Sequence, residues 1–389
     1  MSNTRPKLML VTTVPQTFIT ILKSQPKRLN AHFEVVVVSS NPEIIKYAVS
    51  LGIQSAVVPM RRHISPIFDV YSLIQMIRII VKHRPDIIHS FTPKAGLIAS
   101  VAARLCSVAV RLHTFTGLIF PTKNGVLKGI LKLTDRFICS NCSLVIAEGR
   151  GVQSQLYASN VTQSAIVLGN GNIAGIDEKF YCLESLRAVD VPLNRWHDNN
   201  TSLFNNKTIF LFIGRINKDK GIEDLFKALA HLESQTYLCL IVGDYDCSLS
   251  YQHHLEDTYI MRNDSIKLLG FMEDIRPVLK VCDCVVLPSY REGFPNVLLQ
   301  AGALSRACIV TDVPGSNEII IHDKNGYIVP VGDPIILGET MKTFCRLALV
   351  EKIALERRAR ENIVSKFGRN SYESRLIDFY MELFSERNV

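Results

Sequence analysis

The sequence lacks long apolar runs, a cysteine framework and several well-known catalytic motifs. No apolar run reaches the roughly 20 residues that a bilayer-spanning helix needs, and the polar residues 1–7 predict no signal peptide. The ten cysteines follow no regular spacing, which fits a reducing cytosol better than a disulfide scaffold. Neither Gly-x-Ser-x-Gly nor Gly-x-x-x-x-Gly-Lys-Ser/Thr occurs, so esterase and P-loop functions have no support.

Acidic residues are scarce in the first part of the chain. Residues 1–150 hold 19 Lys and Arg against 6 Asp and Glu, whereas the remainder holds 25 against 30. So basic a region suits an anionic membrane surface, a diphosphate or a nucleic acid, although a solvated basic face would look the same. The aromatic-interleaved basic stripe of single-strand binders is absent, so we expect a membrane surface rather than nucleic acid as a partner. The basic clusters are Arg61-Arg62-His63, Lys82-His83-Arg84, and Lys123, Lys128, Lys132 and Arg136.

Short β-branched runs alternate with longer helical patterns along the whole chain. Their near-continuous Val, Ile and Leu content indicates strands buried on both faces, hence parallel sheets with flanking helices. A chain of 389 residues is too long for one ordinary core, so we predict an α/β protein with two doubly wound, Rossmann-like domains. The predicted strands are Lys7–Thr13, Glu34–Ser40, Ala56–Pro59, Asp86–Phe91, Val110–Phe115, Leu144–Glu148, Ala165–Leu168, Thr208–Gly214, Tyr237–Gly243, Ile266–Gly270, Cys284–Leu287, Cys308–Asp312 and Tyr327–Val329.

The strand series restarts after a polar stretch, Asp190 to Lys207, which we interpret as the linker. The predicted domains are therefore 1–190 and 191–370, with 371–389 as a closing helix. In doubly wound folds, ligands bind at the carboxyl ends of the strands. We expect the two domains to face each other across a ligand cleft.

The most informative stretch is the loop after the predicted strand Cys284–Leu287. It starts at Pro288, carries Glu292, and leads into an apolar-periodic helix that begins near Asn296. A helix N-terminus presents unpaired N–H groups and a dipole that favour phosphate. A carboxylate beside such a cradle suits a ligand with both sugar hydroxyls and phosphates, which is a nucleotide sugar.

A second polar loop follows the predicted strand Thr208–Gly214. Gly214 allows close backbone approach to a ligand, Arg215 offers a planar fork for diphosphate oxygens, and Lys220 offers a point charge. Both cations would stabilise negative charge on a nucleoside diphosphate leaving group. Surface cations are the simpler alternative, but the shared strand-end position with Glu292 favours function.

Five motifs of the second half form a recognisable set: Gly214-Arg215 with Lys220-Gly221, Gly243-Asp244, Gly270-Phe271, Glu292-Gly293-Phe294-Pro295 and Gly315-Ser316-Asn317-Glu318. This set resembles the retaining glycosyltransferase family 4, which has the GT-B architecture, and the resemblance covers essentially the whole chain. It implies that Arg215 and Lys220 bind the donor diphosphate and that Glu292 contacts the donor sugar. The donor-binding positions it implies are Gly214, Arg215, Lys220, Gly243, Gly270, Phe271, Glu292, Gly293, Phe294, Pro295, Asn296 and Gln300.

The sequence departs from the family pattern at Gln300. Family members typically carry a second glutamate eight residues after the first, which accepts hydrogen bonds from the ribose hydroxyls. The Gln300 amide oxygen can accept such a bond, but without the strength of a carboxylate. Glu318 has a structural alternative, the capping of a helix.

Two motifs of the first half resemble the subgroup that extends glycans on a polyprenyl diphosphate carrier. They are Asp86 to Gly96 and His113 to Gly117. The resemblance places the first motif on the acceptor side and His113 near the donor sugar, although a histidine at a strand end is more often structural. The implied acceptor-binding residues are His89, Thr92, Lys94 and Gly96, and the implied catalytic residues are Glu292, His113, Arg215 and Lys220.

The stretch Asp244-Tyr245-Asp246 has the Asp-x-Asp form that holds a divalent metal in other transferases. Here Arg215 and Lys220 already supply positive charge for the diphosphate. We therefore expect a metal-independent enzyme without a cofactor.

These features predict a retaining glycosyltransferase that moves an N-acetylhexosamine or hexose from a UDP-sugar to a polyprenyl-diphosphate-linked saccharide. The expected setting is the assembly of a bacterial surface polysaccharide (O-antigen, capsule or exopolysaccharide). The expected location is the cytoplasm, peripheral on the inner face of the cytoplasmic membrane. Two alternatives stay open: a UDP-N-acetylglucosamine 2-epimerase of the same fold, and a non-catalytic nucleotide-sugar-binding protein.

Overall fold

The computed structural model describes residues 5–186 and 207–386. They form two compact units, one of residues 5–175 with 369–386 and one of residues 176–186 with 207–368. The predicted boundary at residue 190 and most of the predicted linker lie outside the described residues. The division itself differs from the predicted one: the chain enters the second unit at Ile176 and returns to the first at Arg369.

Core packing explains the two crossing points. The side chains of Tyr181 and Leu186 are buried in the core of the second unit. Those of Leu376 and Tyr380 are buried in the core of the first. The predicted closing helix is therefore an integral part of the first unit.

The first unit contains a seven-stranded parallel sheet in the order β3-β2-β1-β4-β5-β6-β7. Each of its strands overlaps one predicted from the sequence. The strands are β1 Lys7–Val11, β2 Glu34–Ser39, β3 Gln54–Val57, β4 Ile87–Ser90, β5 Val110–Phe115, β6 Leu144–Ala147 and β7 Ile166–Val167.

The second unit contains a six-stranded parallel sheet in the order β10-β9-β8-β11-β12-β13. All six predicted strands of this half are confirmed. The strands are β8 Thr208–Ile213, β9 Tyr237–Val242, β10 Ile266–Gly270, β11 Cys284–Leu287, β12 Ala307–Thr311 and β13 Gly326–Val329.

Helices connect the strands in both units, as parallel sheets require. Over the described ranges, none of them is long and apolar enough to cross a membrane. The α-helices of the first unit are Gln25–Leu29, Glu43–Leu51, Pro66–His83, Pro93–Leu105, Gly125–Asn141, Arg150–Ala158 and Arg369–Ser385. Those of the second are Ile222–Leu229, Leu249–Leu255, Arg276–Val281, Asn296–Ala303, Ser316–Ile319, Pro334–Arg346 and Leu349–Phe367.

Burial on both faces accounts for the apolar strand sequences. Along β1, Leu8 and Leu10 belong to one core cluster while Met9 and Val11 belong to another. Successive side chains of a strand point to opposite faces, so each face of this sheet needs its own apolar residues. This arrangement leaves the carboxyl ends of the strands as the edge where polar loops gather.

Candidate active site

The loops after β8 and β11 meet in a partly buried ion pair between Lys220 and Glu292. The Lys220 Nζ lies 2.6 Å from Glu292 Oε1, and the two side chains are 19% and 8% exposed. A carboxylate this far from water is costly unless a cation and hydrogen bonds compensate it. Two residues 72 positions apart in sequence therefore form one charged unit at the strand ends.

Two hydroxyl residues fix the orientation of Glu292. The Ser289 side chain donates a hydrogen bond to Glu292 Oε1 at 2.7 Å, and the Thr311 hydroxyl, at the end of β12, donates to the Ser289 carbonyl at 2.5 Å. Ser289 is completely buried. Sequence reasoning missed both residues; the signal available was a serine three positions before the glutamate, directly after an apolar strand.

Glycines allow the loops around this pair to touch. Gly221 has φ +66°, and a Cβ built on it would lie 1.9 Å from the Pro288 carbonyl oxygen. Gly315 has φ +79°, and its Cβ would lie 2.0 Å from the Gly293 carbonyl oxygen. Only glycine combines this backbone conformation with such close approach. Close packing between loops thus explains the glycines of the motifs Lys220-Gly221 and Gly315-Glu318.

Glu318 takes the structural role that was the alternative in the sequence. Its Oε1 accepts a hydrogen bond from the Gly315 backbone N–H at 3.2 Å, at the start of the helix Ser316–Ile319. A carboxylate that satisfies an N-terminal N–H stabilises the helix start. This contact fixes the loop that packs against Gly293.

Arg215 lies in the same unit but is engaged elsewhere. Its guanidinium forms an ion pair with Asp246 at the protein surface, and the Asn217 amide also donates to Asp246 Oδ2 at 3.3 Å. An exposed pair of this kind contributes little to stability, so a diphosphate could compete for Arg215. Asp246, the second aspartate of the Asp-x-Asp stretch, thus accepts hydrogen bonds from the Arg215 guanidinium and the Asn217 amide. No group of three metal-ligating side chains occurs over the described ranges.

The other predicted donor positions divide by exposure. Phe271 follows β10 and is 71% exposed, whereas Phe294 is buried and packs against Phe367 with ring centroids 5.6 Å apart. The Phe294 side chain is therefore a core contact, and donor binding at this position stays a prediction. Gly270 has open space beside its Cα, and Asn296 begins the helix Asn296–Ala303 as predicted.

Gln300 is anchored by a tyrosine of the same unit. Its Nε2 donates to the Tyr181 hydroxyl at 2.8 Å. This bond orients the amide so that its oxygen is the group left to accept a further hydrogen bond.

We expect Gln300→Glu to tighten UDP binding modestly, by less than about tenfold, because a charge-assisted hydrogen bond is roughly twice as strong as a neutral one. The Tyr181 hydroxyl can turn and donate to the new carboxylate, so the anchor is kept. Titration calorimetry with UDP measures the change, and Tyr181→Phe serves as a control for the anchor. Weaker binding by the glutamate variant would contradict the ribose-contact prediction.

His89 is part of the first unit's core rather than an acceptor contact. One ring nitrogen hydrogen-bonds the Tyr380 hydroxyl at 2.5 Å and the other the Thr114 hydroxyl at 2.7 Å. The ring also stacks on Phe91, and burial lowers the pKa of His89 to about 3. These contacts favour a structural role for His89, the alternative left open by the sequence, and give no support to its acceptor assignment.

His113 is likewise buried, with only 1% of its surface exposed. It lies inside β5, not after its end, and its Nδ1 hydrogen-bonds the Ser90 hydroxyl at 2.9 Å. The ring packs so close to the helix Pro93–Leu105 that a Cβ on Gly96 would lie 2.5 Å from it. Burial lowers the pKa of His113 to about 3. These contacts give the His113 ring a packing role, while its contact with a donor sugar and the acceptor contact of Gly96 stay predictions.

Thr92 and Lys94 both have partners within the first unit. The Thr92 hydroxyl accepts from the Thr13 backbone N–H at 2.8 Å, and the Thr13 hydroxyl accepts from the Ala95 N–H at 3.1 Å. Lys94 Nζ lies 2.6 Å from Asp69 Oδ2, with the lysine side chain 9% exposed. Asp69 was not predicted as a site residue, because its closeness to Lys94 arises only from the packing of two helices.

Asp135 is a buried carboxyl group that lines the same pocket as Lys94 and that the sequence did not single out. It lies on the helix Gly125–Asn141, and burial raises its pKa from the ordinary 3.8 to about 7. Since the raised pKa favours the protonated form in the folded state, the unfolded state binds fewer protons between these values. Stability therefore falls as pH rises through this window.

We expect Asp135→Asn to gain stability over the wild type as pH rises from about 4 to above 7. Thermal unfolding at pH 5 and pH 8 measures the difference. The exposed Asp378→Asn in the same unit is the matched control. An equal effect of Asp135→Asn at both pH values would contradict the burial argument.

Comparison with known proteins relates both halves to glycosyltransferases. Residues 7–148 match the model of glycosyl transferase 4-like domains, and residues 207–346 match that of glycosyl transferases group 1. The chain is 28% identical to the capsular polysaccharide biosynthesis glycosyltransferase CapM of Staphylococcus aureus, over 81% of this chain and 80% of CapM. It is 27% identical to the UDP-Gal:alpha-D-GlcNAc-diphosphoundecaprenol alpha-1,3-galactosyltransferase of Escherichia coli, over 70% and 69% of the respective chains.

Solved structures match over nearly the full length. HepE of Anabaena, crystallised with UDP, has a TM-score of 0.79 at 17% identity, and the match covers 97% of this chain and 100% of the HepE chain. A glycosyltransferase of Rickettsia africae has a TM-score of 0.80 at 18% identity, and the match covers 98% of this chain and 99% of the Rickettsia chain. These likenesses confirm the predicted GT-B fold. The two family-model matches, which together span most of the chain, show that it belongs to the glycosyltransferases that combine a glycosyl transferase 4-like domain with a group 1 domain.

Proposed function

We propose that this enzyme moves an N-acetylhexosamine or hexose, with retention, from a UDP-sugar to a polyprenyl-diphosphate-linked saccharide in the assembly of a bacterial surface polysaccharide. The observation that carries the proposal is the partly buried Lys220–Glu292 pair at the strand ends of the second unit. The two relatives support the setting: one is a capsular polysaccharide enzyme and the other uses UDP-galactose and a diphosphoundecaprenol acceptor.

In this proposal the second unit binds the donor. Lys220 neutralises charge that develops on the departing diphosphate, and Glu292, held by Ser289, orients the sugar hydroxyls. Arg215 leaves its exposed pair with Asp246 to join the diphosphate. These preorganised charges act in a partly dry site, where they stabilise the transition state more strongly than in water.

The first unit takes the acceptor. The bond between the sugar C1 and the diphosphate oxygen breaks, and a bond from the acceptor hydroxyl oxygen to C1 forms on the same face. A donor phosphate oxygen accepts the hydroxyl proton, so the reaction needs no enzymic base. The positive charge of Lys220 and Arg215 takes the place of a metal ion, and the proposed reaction uses no cofactor.

The proposed location is the cytoplasm, at the inner face of the cytoplasmic membrane. The basic excess in residues 1–150 supports attraction to anionic lipid. Binding of this kind weakens with salt. Sedimentation with phosphatidylglycerol vesicles at rising ionic strength tests it.

A donor screen tests the function as a whole. Purified enzyme is incubated with UDP- and GDP-sugars and extracted polyprenyl diphosphate saccharides, and nucleotide release is measured with product mass. Sugar transfer from a UDP-sugar is the expected result. A second UDP-sugar formed from UDP-N-acetylglucosamine without acceptor would identify an epimerase. Nucleotide binding without turnover on any acceptor would identify a non-catalytic protein.

A further inference from the structure

A small pocket in the first unit is distinct from the donor site. It has a volume of about 140 Å³, and its walls are mostly apolar, formed by side chains that include Ile64, Leu97, Ile119 and Ile130. Sites that enclose a whole small ligand measure roughly 300–1,000 Å³. A pocket of this size instead suits one segment of a longer apolar chain.

The pocket opens where doubly wound sheets bind ligands. Its lining includes Lys94 just after β4 and Gly117 just after β5, both at the carboxyl ends of the strands. Lys94 and Asp69 both line the pocket, and their opposite charges compensate each other. Arg62, which is exposed, supplies positive charge at the same pocket. Asp135 also lines the pocket, but burial favours its neutral form by raising its pKa to about 7. Mostly apolar walls with Arg62 beside them fit an amphipathic ligand with an anionic end.

The helix Gly125–Asn141 carries two apolar faces. Ile138 is buried within the unit, and Leu131 is partly buried against the same core. Val126, Ile130, Leu133 and Phe137 are exposed instead, and their spacing of four, three and four residues puts them in one stripe. Since Ile130 belongs both to this stripe and to the pocket wall, the exposed stripe runs into the pocket.

The charges around the stripe favour an anionic lipid environment. The helix and the loop before it carry Lys123, Lys128, Lys132 and Arg136, while the one acidic residue of the helix, Asp135, is buried. Exposed apolar residues flanked by cations are typical of helices that lie in a membrane interface. The stripe thus offers a continuous apolar route from a bilayer surface to the pocket.

We propose that this pocket binds the isoprenoid chain of the lipid-linked acceptor next to its diphosphate, and that the chain reaches it along the stripe Val126–Phe137. The inference rests on the proposed function, because it assigns a subsite for the acceptor of that reaction. It adds a lipid-recognition site in the first unit to the donor site in the second. The enzyme then distinguishes its acceptor by the carrier as well as by the glycan.

Binding of a fluorescent farnesyl diphosphate to the full-length protein tests the site. Ile119→Glu and Ile130→Glu each place a charge in the pocket wall. We expect each substitution to weaken probe binding by about tenfold or more, because the burial of apolar carbon atoms away from water drives the binding of isoprenoid chains. Ile74→Glu is the matched control: Ile74 is 45% exposed, against 44% for Ile130, and lies on the helix Pro66–His83 outside the pocket. Equal weakening by all three variants would overturn the proposal.

A photoreactive farnesyl diphosphate on the wild-type protein gives a second measurement that does not depend on variant folding. Cross-links within residues 117–135 are expected, and cross-links confined to other segments would overturn the assignment. Phosphatidylglycerol vesicles without isoprenoid form a third arm. If they displace the probe as well as unlabelled farnesyl diphosphate does, the pocket takes acyl chains, which also overturns it.

Kinetics separate failure of this inference from failure of the proposed function. Wild-type enzyme is expected to have a lower KM for an acceptor on a long isoprenoid carrier than on a short one. The ratio of the two KM values should fall towards one in Ile130→Glu and stay as in wild type in Ile74→Glu. Transfer with no chain-length dependence would refute the pocket alone, whereas no transfer from any UDP-sugar would refute the function.

Discussion

Lys220→Ala is expected to lower kcat/KM for sugar transfer by about a hundredfold or more, and Glu292→Ala by a similar factor, by analogy with the loss of one preorganised charge-stabilising group. In the proposed function, Lys220 neutralises the leaving diphosphate and Glu292 orients the sugar hydroxyls. Nucleotide release at saturating acceptor measures both effects. Lys227→Ala is the matched control, since Lys227 forms an exposed ion pair with Glu223 in the same unit.

Stability must be measured beside activity, because either single substitution leaves a buried partner without its counter-charge. The double variant Lys220→Met with Glu292→Gln removes both charges at similar side-chain volume. We expect it to unfold at a higher temperature than either alanine variant while its activity stays as low. Near wild-type activity in both single variants would refute the site assignment.

Gly221→Ala is expected to have the second large effect. A left-handed backbone costs an alanine about 1–2 kcal/mol. In addition, its Cβ would overlap the Pro288 carbonyl at 1.9 Å, and forced overpacking adds about 1–3 kcal/mol. The loops that carry Lys220 and Glu292 must then separate, so catalysis should fall along with the free energy of unfolding.

Gly52→Ala separates the two causes. Gly52 has φ +67°, almost equal to the +66° of Gly221, but nothing lies within 4 Å of its Cβ position. We expect Gly52→Ala to lower the free energy of unfolding only by the cost of a left-handed alanine, about 1–2 kcal/mol, and to leave the activity unchanged. Denaturant unfolding and nucleotide release measure both quantities. Equal effects of the two substitutions would show that the close approach of the loops has no consequence.

The sheets could be predicted almost completely from the sequence. Apolar runs such as Tyr237–Val242 and Cys284–Leu287 are too continuous for strands with a wet face, and the structure buries them on both sides. The domain division could not be predicted in the same way. Nothing local indicates that Tyr380 belongs to the first unit, because its hydrogen bond to His89 joins residues 291 positions apart.

The sequence names candidate donor-side residues one by one, but it does not predict the contacts between them. Lys220 and Glu292 carry recognisable loop chemistry, while their direct pairing and the support from Ser289 depend on how two strand ends meet. The burial of residues on the acceptor side could not be predicted from the sequence either. His113 has the residue type of a catalytic group, yet its position within β5 turns it into the core.

The sequence by itself determined the two α/β units, the thirteen strands and the loops that carry charge, because periodicity, apolar runs and loop-forming residues act over a few neighbouring positions. Only the tertiary structure decided which charged groups compensate one another and which polar groups lose contact with water. It paired Lys220 with Glu292 and Lys94 with Asp69, and it buried His89 and His113. The physical reason is that burial and Coulomb energy depend on distance in space, which distance along the chain does not fix.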